Sequence, residues 1–175
     1  MKKALFNNFA SITKLLIVTV ALFLISACSS KETNVVVDKG TEKEGETDVT
    51  YVDHVEEIIA NNCLQCHGNE SPTMVEFNEN PDQYIKEGKG PRIDDYENLT
   101  VVVNGSEAGA LMRRLDNGEN TEDGEPGNMY VNLGADDEER EEYLDVLKEW
   151  VGHWTLKREN ELTEEDYEKF KLLEK

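Results

Sequence analysis

The sequence is poor in cysteine and in basic residues. Its 175 residues include only three cysteines, and 18 Lys and Arg stand against 38 Asp and Glu, which gives a formal net charge of −20. A protein that binds nucleic acid needs clustered Lys and Arg to neutralise phosphates, so we predict no nucleic-acid partner. The sequence also lacks an internal repeat, a glycine-rich phosphate-binding loop and a Ser/His/Asp arrangement, which argues against several classes of enzyme.

Long apolar runs are scarce, and the only marked one covers residues 14–26. This run is too short for a typical transmembrane helix, but with two lysines near the start of the chain it is typical of a secretory signal. The boundary Ile25-Ser26-Ala27-Cys28 is similar to the lipobox of bacterial lipoproteins, in which the cysteine carries the lipid. We therefore predict a lipoprotein signal peptide over 1–27 and lipidation of Cys28. An uncleaved anchor, or an exported protein with a free thiol, remains the alternative.

Cleavage at this point would leave an even more acidic protein with a flexible start. The net charge would change from −20 to −23, because residues 1–27 contain three lysines and no acidic residue. Anionic lipid headgroups would repel such a chain, so we assign membrane association to the acyl anchor alone. Residues 28–49 have no helical apolar stripe and are predicted to form a flexible acidic tether. The expected location is the outer face of the cytoplasmic membrane, the periplasm or the outer membrane.

The other two cysteines fall in Cys63-Leu64-Gln65-Cys66-His67, a C-x-x-C-H motif. In an exported protein this spacing indicates attachment of a c-type haem: each thiol can form a thioether with one vinyl group, and the histidine becomes an axial ligand of the iron. A structural zinc site would need four protein ligands. A thioredoxin-like pair would need a βαβ pattern, and a plain disulfide would not require His67. We predict one covalent haem c.

The motif and the order of elements around it resemble the monohaem class I cytochrome c family over residues 50–158. The resemblance implies a small all-α domain wrapped around the haem, and residues 159–175 would then form a C-terminal helical extension that either packs on the domain or presents a partner surface. It also implies an electron carrier rather than an enzyme. A haem enzyme or gas sensor with an open distal site, or a cytochrome subunit of a larger oxidoreductase, are the alternatives.

Two further segments are similar to elements of that family. Gly127-Asn128-Met129-Tyr130 resembles the methionine loop, which implies Met129 as the distal ligand opposite His67, although Tyr130 stands where proline is common. Gly90-Pro91 resembles the Gly-Pro element whose carbonyl accepts a hydrogen bond from the proximal histidine; a simple loop turn is the alternative. The other candidate distal ligands, each with a competing structural role, are His54, His153, Met74 and Met112.

Apolar spacing, capping residues and the family resemblance predict the helices. The first begins at Thr50 with Val52, Val55 and Ile59 on its buried face. Between Gly68 and Gly90 we expect a polar loop with one short turn. We also predict a helix over 93–103 from the family resemblance and a helix capped by Ser106. A longer helix should run from Asp136 to about Arg158. A final helix should be capped by Thr163 and carry Tyr167, Phe170 and Leu173 on one face.

Charge suggests two further hypotheses about binding. Arg113 and Arg114 lie together in an acidic chain, so one of them could pair with a haem propionate; a surface ion pair is the alternative. The partners implied by the resemblance are a redox donor and a redox acceptor. The acidity could favour partners with a basic docking patch, although it is equally compatible with a merely solvated surface.

Overall fold

The computed structural model describes residues 48–175, and within this range the chain is helical with no β-strand, as predicted. A π-helical turn at Tyr51–Val55 leads into the first α-helix, and 3₁₀ turns lie at Tyr130–Asn132 and Glu159–Glu161. The α-helices described are α1 (Glu56–Asn62), α2 (Leu64–His67), α3 (Met74–Glu79), α4 (Pro81–Lys86), α5 (Tyr96–Val103), α6 (Ala110–Leu115), α7 (Asp137–Val151) and α8 (Glu164–Tyr167). The predicted signal peptide, Cys28 and the predicted tether up to residue 47 lie outside the described residues.

The hydrophobic core is organised around Trp150 of α7, which is completely buried. The rings of Tyr51 and Tyr96 lie beside it, with centroid distances of 6.2 and 6.4 Å. Its indole Nε1 donates to the carbonyl oxygen of Leu173 at 3.0 Å, which satisfies a donor whose burial without a partner would cost about 1–3 kcal/mol. Other fully buried side chains complete this core: Val55, Ile59, Leu99, Val103, Met112, Leu133, Leu144, Leu147 and Val151.

The C-terminal residues are part of this packing. The backbone amides of Tyr51 and Val52 donate to the carbonyl oxygens of Leu173 and Glu174 at 2.7 and 3.0 Å. Leu172 is buried and its amide donates to the carbonyl oxygen of Trp150. The segment that sequence analysis assigned to an extension therefore packs against the beginning of the first helix and the end of α7.

The start of the first helix agrees with the sequence in its cap and in the burial of Val55 and Ile59, but not in the predicted burial of Val52. Thr50 Oγ1 accepts from the amide of Asp53, as the capping pattern predicted. Val52, however, is 43% exposed, while Tyr51 and Val55 are buried. Because the first turn is π-helical, its residues do not follow the 3.6-residue repeat on which the prediction rested.

The segment between Gly68 and Gly90 contains more helix than predicted. The one short turn expected in this segment corresponds to α4, but α3 before it was not predicted. Thr73 begins α3 with a capping box, in which Thr73 Oγ1 accepts from the amide of Glu76 and the Glu76 carboxylate accepts from the amide of Thr73. Neither helix contains a buried residue, so no apolar stripe marked them in the sequence.

Helices α5 and α6 both begin later than predicted, α5 at Tyr96 rather than at residue 93. The β-branched residues of α5 are helical, as the family resemblance implied, because packing in the core overrides their preference for strand. Helix α6 is preceded by Gly109 rather than capped by Ser106; Gly109 has φ of 78°, and a Cβ there would lie 2.0 Å from the carbonyl oxygen of Lys157. This close approach of two backbone segments requires glycine.

The last long helix is shorter than predicted. Asp136 caps α7 by accepting from the amide of Glu139, as expected, but the helix ends at Val151. Gly152 terminates it with φ of 75°, a left-handed conformation that favours glycine. Trp154, which the predicted helix included, therefore lies outside α7. The final helix α8 likewise stops at Tyr167, so the face predicted through Phe170 and Leu173 does not form.

Candidate haem site

The C-x-x-C-H motif is wound into one helical turn at the end of the first helix. The amide of Cys63 donates to the carbonyl oxygen of Ile59, and the amides of Cys66 and His67 both donate to the carbonyl oxygen of Cys63. Residues three and four apart on a helix lie on the same side, so the turn presents both thiols and the imidazole together. Both thiols are free. Cys63 packs against the core, and burial raises the pKa of its thiol to about 11.

The imidazole of His67 is oriented by residues 90–93, which follow helices α3 and α4. Its Nδ1 lies 2.7 Å from the carbonyl oxygen of Pro91, a contact in which the ring nitrogen donates. The amides of Gly90 and Ile93 donate to the carbonyl oxygens of Cys66 and His67, which hold this segment against the motif. Among the residues described, none forms a hydrogen bond to His67 Nε2, so the second ring nitrogen is available to a metal.

Gly90 forms the wall against which the His67 ring lies. A Cβ at this position would lie 2.0 Å from His67 Cε1 and 2.5 Å from Nδ1. Non-bonded heavy atoms do not approach so closely, so any larger residue would push the imidazole aside. The Gly90-Pro91 pair therefore has two functions here: the glycine gives the ring space and the proline carbonyl fixes its orientation.

The loop that carries Met129 is anchored to the C-terminal end of α6. The amide of Gly127 donates to the carbonyl oxygen of Asp116 at 2.7 Å, and the amide of Met129 donates to that of Arg114 at 2.9 Å. A Cβ on Gly127 would lie 2.4 Å from the Arg114 carbonyl group, so this approach also requires glycine. The Met129 side chain is 36% exposed. The side-chain nitrogen Nδ2 of Asn132 lies 3.9 Å from Met129 Sδ.

Asp116 holds the same loop from inside the protein, a role that sequence analysis missed. Its buried carboxylate accepts hydrogen bonds from Trp154 Nε1 at 2.9 Å, from Asn120 Nδ2 at 2.7 Å and from the amide of Gly118 at 2.9 Å. Burial alone would raise the pKa of Asp116, but these hydrogen bonds together hold it below its usual value. Asp116 directly before Asn117-Gly118 was the available signal, because an aspartate commonly accepts from amides of a following turn.

The other candidate ligands have structural roles. His54 Nδ1 accepts from the amide of Thr50 at 3.1 Å, and His153 Nε2 lies 3.1 Å from the Asp166 carboxylate. Met112 is fully buried in the core, and Met74 packs against it. In the described part of the chain, no group of three or more His, Cys, Asp or Glu side chains is placed to hold a metal ion.

The residues of the motif fit a c-type haem. The apolar surroundings that raise the pKa of the Cys63 thiol suit a neutral thioether better than a thiolate. His67 offers one ring nitrogen and has the other fixed by a backbone carbonyl, the arrangement usual for a histidine that binds a metal. The chemistry of this donor set, two free thiols and an oriented imidazole on one turn, is therefore compatible with the group.

Comparison with known proteins gives the same class. The PccH cytochrome c family matches residues 50–173. The solved structure of the monohaem cytochrome PccH from Geobacter sulfurreducens is 38% identical in sequence, with a TM-score of 0.68; the match covers 72% of this chain and 98% of that chain. None of the curated proteins compared with this chain matches it.

The fold and the motif, together with these matches, define a monohaem c-type cytochrome with one covalently bound haem c. Within that class, the chain belongs to the PccH cytochrome c family. Membership implies electron transfer and redox partners in general, and it is consistent with an electron carrier rather than an enzyme. Bacterial c-type cytochromes are generally exported. In residues 48–175, no helix is long and apolar enough to cross a membrane.

Proposed function

We propose that the protein is an electron carrier whose haem is attached through Cys63 and Cys66 and ligated by His67 and Met129. When bound, the haem supplies the one-electron exchange between ferric and ferrous iron. The observation that carries the proposal is the 2.7 Å contact between His67 Nδ1 and the Pro91 carbonyl oxygen, because it supports a role for Nε2 as the proximal donor. A hydrogen bond to the outer nitrogen also makes the imidazole a more basic ligand.

Met129 is the proposed distal donor. Its thioether is neutral and soft, and such a ligand raises the reduction potential relative to a second imidazole. The loop is held by two backbone hydrogen bonds and a close glycine contact to α6, which supports a fixed position for the sulfur atom. Met112 is a weaker candidate because it is fully buried within the core.

The roles of the other histidines favour an electron carrier over a haem enzyme. A catalytic haem needs a distal acid or base close to the substrate. His54 and His153 are the only histidines besides His67, and each already has a hydrogen-bond partner elsewhere. A distal methionine would also leave no open coordination position for peroxide or oxygen.

A potentiometric titration of the purified holoprotein tests this function. We expect one reversible one-electron transition and no peroxidase turnover above that of free haem. Peroxide turnover that saturates with substrate would favour the haem-enzyme alternative instead.

We expect Gly90→Ala to damage the proximal side of the site. The added methyl group would lie 2.0 Å from His67 Cε1, so the imidazole must move and the Pro91 hydrogen bond must lengthen. The yield of holoprotein should fall and the reduction potential should shift, measured by haem content and by titration. Gly88→Asn is the matched control, because nothing lies within 4 Å of a Cβ there and asparagine tolerates the positive φ of 71°. Equal behaviour of the two variants would contradict the positioning role of Gly90.

The proposed partners are a redox donor and a redox acceptor that present basic patches. The chain carries 38 acidic residues against 18 Lys and Arg, and opposite charges steer association at low salt. Contacts of this transient kind typically bury less than about 1,200 Å². Reduction by a basic partner should therefore slow as ionic strength rises.

We further propose the domain organisation predicted from the sequence, with membrane attachment through lipid on Cys28. The sequence Ile25-Ser26-Ala27-Cys28 after a short apolar run supports lipidation, because it is similar to a lipobox. Several acyl chains on one residue would give stable anchoring to the membrane. Cys28→Ser should release the protein from membranes or block its processing, measured by fractionation and by mass spectrometry of the N-terminus. Unchanged membrane retention with an uncleaved N-terminus would favour a transmembrane anchor.

A further inference from the structure

Three arginines converge on one cavity of this acidic protein. The cavity has a volume of about 330 Å³ and is lined by Arg113, Arg114, Arg158, Glu107 and Ala110. The chain has five arginines in all, so more than half of them line this one cavity. In a protein with a formal net charge of −20, such a concentration of positive charge is unexpected on a surface without a function.

None of the three guanidinium groups forms an ion pair within residues 48–175. No carboxylate oxygen there lies within 4.0 Å of a guanidinium nitrogen of Arg113, Arg114 or Arg158, whereas Arg140 is paired with Asp137. The Glu161 carboxylate accepts from the backbone amide of Arg158, not from its side chain. The one acidic residue of the lining, Glu107, accepts a hydrogen bond from Asn78 Nδ2 at 2.8 Å. The surface ion pairs that the sequence suggested for Arg113 and Arg114 are thus not formed in this part of the chain.

The backbone holds Arg113 in place. Its Nη1 donates to the carbonyl oxygens of Lys157 at 2.6 Å and Ala108 at 3.3 Å. Gly109 permits this arrangement, because a Cβ there would lie 2.6 Å from Nη1 and 2.0 Å from the Lys157 oxygen. An arginine fixed in this way loses less conformational freedom when it binds an anion, and its fork of N–H donors suits planar and tetrahedral oxyanions.

The charges act on one another across the cavity. Burial lowers the pKa of Arg113, and the positive charges of Arg158 and Arg114 lower it further. The negative charges of Glu107 and Glu161 offset this effect only in part. Like charges kept close together are costly, and an anion bound between them would reduce that repulsion. In the described residues, the Arg114 side chain forms a single hydrogen bond, in which Nη1 donates to Asn128 Oδ1 at 2.9 Å. Arg158 is exposed, and no described acceptor binds its guanidinium group.

We propose that Arg113, Arg114 and Arg158 form a binding site for a small oxyanion of the phosphate class. The cavity is large enough for inorganic phosphate or for the phosphate group of a small metabolite. Its arginines come from α6 and from the segment after α7, so a bound anion would join two parts of the fold. An anion that binds only the folded state would also raise the free energy of unfolding by RT ln(1 + [L]/Kd).

The test is isothermal titration of the holoprotein with inorganic phosphate in about 0.1 M salt, where the net charge of the molecule is screened beyond roughly 10 Å. We expect one saturable site. Arg158→Gln should weaken binding by about tenfold or more, as expected for the loss of a charge-assisted hydrogen bond. Arg113→Gln should do the same. Arg158 provides the safer variant for folding, since its guanidinium group has no protein partner in the described residues.

Arg140→Gln is the matched control, because it removes one arginine from another part of the surface and should leave the phosphate affinity unchanged. Absence of saturable binding, or equal affinity in Arg158→Gln and the wild type, would overturn the proposal. A haem propionate is a competing oxyanion for the same arginines. If phosphate does not bind and Arg113→Gln changes the pH dependence of the reduction potential, the arginines serve the haem and the proposal is wrong.

Discussion

Replacement of both Cys63 and Cys66 by alanine will leave the polypeptide without covalently attached haem. The two thiols lie on one helical turn with His67, and no other cysteine occurs in residues 48–175. We expect acid–acetone extraction to leave all haem on the wild-type chain and none on the double variant. Each single variant should retain haem through one thioether and be less stable.

Gln65→Ala is the control for this experiment, because Gln65 lies inside the motif but is exposed and has no proposed ligand or attachment role. It should keep its covalent haem in full. Extractable colour from the wild-type protein, or stoichiometric zinc in place of iron, would show that the motif has another function.

Met129→Leu will remove the sulfur ligand while keeping a side chain of similar size. We expect loss of the sulfur-to-iron absorption band of the oxidised protein and rapid binding of carbon monoxide by the reduced protein. The reduction potential should fall by on the order of 0.1 V, within the range of roughly 0.8 V that axial ligands span. The loop itself should persist, because its hydrogen bonds to Asp116 and Arg114 use backbone atoms.

Met112→Leu is the matched variant. Met112 is fully buried, and exchange of methionine for leucine in a core usually costs less than about 1.5 kcal/mol. It should therefore retain the sulfur-to-iron band and the wild-type potential. If Met112→Leu loses the band and Met129→Leu keeps it, the distal ligand has been assigned to the wrong methionine.

The residues of the candidate site that the structure brings together as the sequence predicted are those with a fixed spacing along the chain. The spacing of Cys63, Cys66 and His67 indicates the motif by itself, and one helical turn is enough to bring the three side chains together. Gly90-Pro91 was foreseen from family resemblance, and the contact with His67 Nδ1 explains why both residues are needed.

The features that the sequence did not reveal depend on tertiary contacts or on unusual local geometry. Helices α3 and α4 have no buried residue, so no stripe of apolar residues predicts them. The only signal for α3 in the sequence is the capping box formed by Thr73 and Glu76. The role of Asp116 depends on Trp154, which is distant in sequence. Trp154 itself was placed on α7 because the positive φ of Gly152 was not anticipated.

The acidic composition of the whole chain does not indicate the cluster of three arginines. A net charge of −20 describes the molecule as a whole, but Arg113 and Arg158 come together only because Gly109 lets the backbone segments around α6 and residue 157 approach. No sequence pattern relates these two arginines. The sequence showed the adjacent Arg113 and Arg114, but the contribution of Arg158 to the same positive cluster became visible only in the folded chain.

The visible absorption spectrum of the oxidised wild-type protein is the most direct test of the central claim, that His67 and Met129 ligate one haem in an electron carrier. We predict a low-spin spectrum with the sulfur-to-iron band, which requires a thioether at the sixth position of the iron. A high-spin spectrum without this band would contradict it, because the sixth position would then be open or occupied by a weak ligand such as water.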